Sequence, residues 1–110
     1  MQVKLIDFGM ATLTRRSCNE ARGKQAYRAP EMYLGKAYDA FLSDAFAVGV
    51  LLYTMAVDHY PWTTTKPGCC SHFDFCRTFG FRELLAQCRP KECGGLCLAE
   101  ILSAPLAELL

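Results

Sequence analysis

A chain of 110 residues is long enough for one small domain and too short for two. Hydrophobic residues make up 52% and charged residues 21%, which excludes a disordered, charge-dominated polymer. The formal charge of +1 offers no global attraction for a polyanion, so no nucleic-acid partner is expected.

The first residues, MQVKLID, lack the apolar run and small-residue cleavage site of a secretory leader. The longest apolar stretch, residues 45–57, is about 13 residues, short of the roughly 17–25 that a membrane span needs. It reads as a buried core helix, with no membrane partner and a cytoplasmic or nuclear setting by default. Seven cysteines stand at positions 18, 69, 70, 76, 88, 93 and 97. Their odd number and irregular spacing, with no leader, argue against a disulfide framework. Within the Cys-rich stretch 69–97, Cys93-x3-Cys97 has a spacing compatible with zinc ligation. No CxxC or HxxxH pair accompanies it, so buried or loop thiols are the expectation.

In chain order, residues 3–6 are β-rich and predict a short strand ending at Asp7, broken by Gly9. Residues 11–27 are polar and aperiodic. Arg15, Arg16, Arg22, Lys24 and Arg28 are set here against the single acid Glu20, and the missing periodicity predicts a long loop, functional or mobile. Pro30 opens a short helical turn that Gly35 ends. Ser43 or Asp44 can cap the next helix, whose body at 45–57 is apolar on every face and so expected to be buried all round. Asp58, His59 and Pro61 end it. Residues 63–70 read as loop around Pro67-Gly68. A helix is expected within 71–80, and another at 81–88, where Phe81, Leu84, Leu85 and Cys88 share one face. Leu98, Ile101 and Leu102 predict a further helical face, interrupted at Pro105 and resumed at Leu106, Leu109 and Leu110.

Two triplets gain meaning from their order. A β-rich run leads into Asp7-Phe8-Gly9, 19 residues follow, and Ala29-Pro30-Glu31 then opens a helical turn. Gly35, Tyr38, Asp39, Ser43-Asp44, Gly49, Tyr53 and Pro61-Trp62 come next in sequence. This set resembles the eukaryotic protein kinase signature, with Asp7-Phe8-Gly9 as its DFG triplet and Ala29-Pro30-Glu31 as its APE triplet. Residues 3 to about 62 carry the likeness, and 63–110 follow only loosely.

The resemblance implies a mainly α architecture. It would be a partial kinase C-terminal lobe with a short β-strand before DFG, an activation loop, a buried central helix and two or three further helices. Residues 1–31 would be the magnesium strand and activation segment. Residues 32–62 would be the post-APE turn and central helix, and 63–110 a Cys-rich loop with later helices.

By that likeness Asp7 would hold magnesium against the phosphates of ATP, Phe8 would pack inward, and Gly9 would free the backbone to change state. Read without its neighbours, Asp7 is a strand-end carboxylate in a turn. Gly23, Lys24 and Tyr27 would belong to the substrate-facing loop. The spacing is nearer the serine/threonine kinases, although Lys24 stands where their GTxxY pattern has threonine; Lys24 would favour acidic residues beside the acceptor. Asp44 would accept backbone hydrogen bonds from a catalytic loop, or simply cap its helix. Glu31 would pair with a late arginine, yet none follows Arg89. Thr12, Thr14 and Ser17 lie where kinases are phosphorylated, and a phosphate there would meet Arg15, Arg16 or Arg22.

Kinase chemistry also needs a glycine-rich loop, a strand lysine and a catalytic loop with its base aspartate. These 110 residues contain no GxGxxG and no HRD run. The expectation is a fragment of an ATP- and magnesium-dependent protein kinase acting on a protein substrate, inactive as this chain alone. The alternative is a truncated, pseudokinase-like module that binds a docking partner.

Overall fold

The computed structural model describes residues 1–17 and 20–88. Its elements are β1 (Arg16–Ser17), a 3-10 turn (Pro30–Tyr33), β2 (Tyr38–Asp39), α1 (Ala40–Val57), α2 (Ser71–Phe79) and α3 (Phe81–Gln87). The fold is mainly α, with loop from 63 to 70, α2 within the expected 71–80 and α3 where the periodicity places it. The helical face at 98–102, the restart at 106 and the pair Cys93-x3-Cys97 lie outside the described residues.

The strand expected at residues 3–6 does not form. Val3, Leu5 and Ile6 are exposed and carry no regular structure. A strand needs a neighbour for its backbone N–H and C=O groups and a surface for its apolar face. Among the described residues nothing supplies either. The sheet that does form is the antiparallel pair β1–β2, with Arg16 opposite Asp39 and Ser17 opposite Tyr38.

Helix α1 begins five residues earlier than the apolar pattern indicates. Asp39, rather than Ser43 or Asp44, is its N-cap: the Asp39 carboxylate accepts hydrogen bonds from the Phe41 and Leu42 N–H groups. Ser43 is buried and donates to the Ala40 carbonyl at 3.0 Å. At the other end Asp58 turns left-handed, with φ 63°, and its N–H returns to the Thr54 carbonyl at 2.8 Å.

Nor is α1 buried all round. Ser43, Val50 and Tyr53 are buried, whereas Phe41, Leu42, Val48, Leu51 and Met55 are exposed. With 18 residues and a mean hydropathy of 1.8 it is long and apolar enough to cross a membrane, which the count of 13 apolar residues missed. Val50 and Tyr53 instead pack into a protein core.

That core gathers on Trp62. Its indole stacks on Phe46 at 6.0 Å and meets Phe73 edge-on at 5.0 Å, with Val50, Leu84 and Ala26 closing the cluster. Tyr53 and Leu85 form a second cluster beside Phe81 and Cys88. Gly80 joins α2 to α3 at φ 100°, a region that favours glycine. Its N–H donates to the Cys76 carbonyl at 2.7 Å and its own carbonyl accepts from Leu84 at 3.2 Å.

Candidate functional site

Arg15 is tied to the start of α1, and residues 26 and 28 to the loop that follows it. Asp7 holds φ 60°, uncommon for a residue with a Cβ, and its Oδ1 accepts from the Gly9 N–H at 3.3 Å. The Ala11 N–H donates to the Phe8 carbonyl at 3.1 Å, which curls the triplet into a turn. Phe8 does not pack inward: it is 69% exposed. The positive φ falls on Asp7 rather than on Gly9.

An exposed carboxylate suits one ligand position of a magnesium ion. Among the described residues no group of three His, Cys, Asp or Glu side chains gathers to hold a metal. Asp7 therefore fits as a contributor to such a site and cannot form it alone.

Thr12 and Thr14 stand together, their hydroxyls 3.0 Å apart, and the Thr14 N–H donates to Thr12 Oγ1 at 3.3 Å. Arg15 then pins the loop to the start of α1. Its Nε donates to Asp39 Oδ2 at 2.9 Å, its carbonyl accepts from the Ala40 N–H at 2.7 Å, and its guanidinium lies 4.9 Å over the Phe41 ring. Burial would raise the Asp39 carboxyl, but Arg15 and the Leu42 and Phe41 N–H groups together outweigh it and hold the carboxyl below the usual range. Ser17 occupies β1 opposite Tyr38. Tyr38 Oη donates to the Glu20 carbonyl at 2.8 Å, and Arg22 reaches Glu20 at 3.6 Å.

Beside these contacts lies an open cavity of about 320 Å³ lined by residues 10–14, Arg22, Gly23, Phe41 and Asp44, among others. It brings Thr12, Thr14, Gly23 and Asp44 to one place. Asp7, Phe8, Lys24, Tyr27 and Glu31 lie outside its lining. Asp44 is exposed in the second turn of α1.

The segment from Gly23 to Glu31 is the most firmly held part of the site. Gly23 turns at φ 90°, the Arg28 Nε donates to its carbonyl at 2.8 Å, and the Tyr27 N–H donates to the Lys24 carbonyl at 3.0 Å. Trp62 Nε1 donates to the Ala26 carbonyl at 2.9 Å, and Thr65 Oγ1 donates to the Arg28 carbonyl. The Tyr27 ring meets Tyr60 edge-on at 5.5 Å. Burial and the Tyr60 hydroxyl push the Tyr27 phenol above its ordinary value, against Thr54. Lys24 is exposed on the rim.

Beneath it, the Tyr33 hydroxyl is buried with no hydrogen bond to satisfy it. Burial alone would raise its pKa, but the polar groups of Thr64, Arg28 and Thr65 around it outweigh that and lower it. Glu31 lies in the first turn of the Pro30–Tyr33 helix. Asp39, Trp62 and Thr65 are the residues that the pattern of motifs did not assign to the site, and Arg15, expected only as a phosphate partner, pairs with Asp39. Pro61-Trp62 and Asp39 stood among the ordered landmarks, but their contacts cross 24 to 36 positions of sequence and no local signal reports them.

The sequence model of the protein kinase domain matches residues 1–87. Among curated proteins, the chain is 40% identical over 72 residues to the serine/threonine-protein kinase grp of Drosophila melanogaster, covering 61% of this chain and 14% of that one. It is 39% identical over 66 residues to the putative sperm motility kinase W of Mus musculus, covering 54% and 12%. It is 36% identical over 62 residues to the serine/threonine-protein kinase PRR1 of Saccharomyces cerevisiae, again covering 54% and 12%. The chain thus spans less than a fifth of the length of these relatives. No solved structure matches it. With the domain matched over residues 1–87 of 110, the chain belongs to the protein kinase family.

Proposed function

We propose that this chain is the activation segment and substrate-docking part of the C-terminal lobe of a serine/threonine protein kinase, in which it presents a protein acceptor to ATP. The observation that carries this reading is the anchored segment 23–31. Its rim is exposed while Ala26 and Ala29 are buried and its carbonyls are held by Trp62 and Thr65. A platform of this kind holds a peptide in register for an in-line attack, and positioning is most of what phosphoryl transfer requires of the protein.

On this reading Asp7 would share in holding magnesium, which when bound neutralises charge on the transferred group. Exposed Lys24 gives the rim a positive point that favours an acidic side chain in the acceptor. A phosphate on Thr12 or Thr14 would compete with Glu20 for Arg22 across the shared cavity. The nucleotide cradle and the base must come from outside these 110 residues, where neither motif occurs.

The test has two arms. The 110-residue chain with magnesium and ATP is expected to transfer no phosphate to serine or threonine peptides. Joined in frame behind the N-terminal portion of a similar serine/threonine kinase, it is expected to restore transfer. Asp7→Asn should then lower turnover by about a hundredfold or more. Transfer by the chain alone, or full activity in the Asp7→Asn fusion, would overturn the reading.

A further inference from the structure

We infer that Trp62 and Thr65 are positioning residues for the acceptor peptide: they set the orientation of residues 23–28 through the Ala26 and Arg28 carbonyls. The inference rests on the substrate-loop reading above and adds to it the side chains on which acceptor binding depends.

Three observations carry it. Thr65 is 0% exposed, and a hydroxyl at such a position is tolerated only when bonded. Its partner is the Arg28 carbonyl, 37 positions away. Valine would fill the same volume, so the hydroxyl matters for the bond rather than for packing. Trp62 repeats the arrangement two residues along the loop, with its buried Nε1–H on the Ala26 carbonyl. Phenylalanine would serve much of the ring packing there, but only the indole N–H reaches the loop.

The loop itself is closed by Arg28 on the Gly23 carbonyl and by Tyr27 on the Lys24 carbonyl. Held at residues 26 and 28, it turns as one piece. Loss of either anchor therefore swings the whole rim, including Lys24. The hydrogen bonds of Trp62 and Thr65 go to residues 26 and 28 and not to the Asp7 triplet, so their loss is expected to act on the acceptor peptide rather than on the nucleotide.

Three isosteric or conservative exchanges test this. In the fusion, Thr65→Val is expected to speed amide hydrogen exchange at Tyr27, whose N–H is bonded to the Lys24 carbonyl, by roughly three- to tenfold. Thr65→Ser, which keeps the hydroxyl, should restore protection, and Trp62→Phe should behave as Thr65→Val does. In the active fusion, Thr65→Val should raise KM for the peptide by a similar factor while KM for ATP and the rate at saturating peptide hold; Thr65→Ser should again restore it. An active fusion whose peptide KM ignores Thr65→Val overturns the positioning role alone. Unchanged exchange in Thr65→Val overturns the anchor itself. An inactive parent fusion overturns the kinase reading and the positioning role with it.

Discussion

Asp39 joins the loop to the first turn of α1, receiving Arg15 on one oxygen and the Phe41 and Leu42 N–H groups on the other. Asp39→Ala removes both partners and Asp39→Asn keeps an acceptor for the helix, so melting temperatures should fall in the order wild type, Asn, Ala. Because the carboxyl is held below its unfolded value, its contribution is complete above that value. It is lost as pH falls through the lowered one.

Cys70 behaves differently from its neighbours. Burial would push its thiol up, but the Thr63 hydroxyl and the backbone groups of Phe73, Thr63 and Thr64 bring it down to about 7. Burial alone raises Cys76 and Cys88. At pH 7.5 iodoacetamide should therefore label Cys70 roughly tenfold faster than Cys76 or Cys88, measured by mass spectrometry of timed digests. The stability that the thiolate contributes is complete above the ordinary value of 9.0 and fades as pH drops through about 7.

Helix α1 has two unlike faces. Ser43, Val50 and Tyr53 point to the core, while Phe41, Val48, Leu51 and Met55 recur at steps of seven, three and four on an open face. Leu51→Lys with Met55→Lys should leave stability within about 0.5 kcal/mol and increase solubility. Leu85→Ala, which empties a site beside Tyr53, should cost about 2–5 kcal/mol in chemical denaturation. Equal effects from the two faces would contradict this division. The extent of α1 also shows what periodicity misses. Phe41 and Leu42 are apolar but precede the polar pair Ser43-Asp44, which reads as a boundary. The helix crosses it because Asp39 caps earlier.

Across the whole molecule, apolar surface outruns the core that covers it. Val3, Leu5, Ile6, Phe8 and Leu13 are exposed in the N-terminal stretch, in addition to the open face of α1. Each side chain left in water forgoes about 1.5–3 kcal/mol of burial, and a whole domain's net stability is only about 5–15 kcal/mol. The 110-residue chain should accordingly self-associate. Sedimentation as a monomer at micromolar concentration would refute this.

The sequence by itself determined the family, the order of DFG and APE around a long loop, the turn at Pro30 and the three helices. These follow from residue types at short spacing, where composition and local periodicity act directly. Tertiary structure decided the rest. Residues 3–6 have strand chemistry but no neighbour, so Asp7 begins a free turn and Phe8 stays in water. α1 is apolar throughout, yet which face is buried depends on where Trp62, Phe81 and Leu85 arrive. Of the two anchors of residues 23–28, Trp62 stood among the sequence landmarks and Thr65 did not, and neither contact was legible. A hydrogen bond from Trp62 to Ala26 exists only once the chain between them has folded back, and no pattern within either segment encodes that meeting.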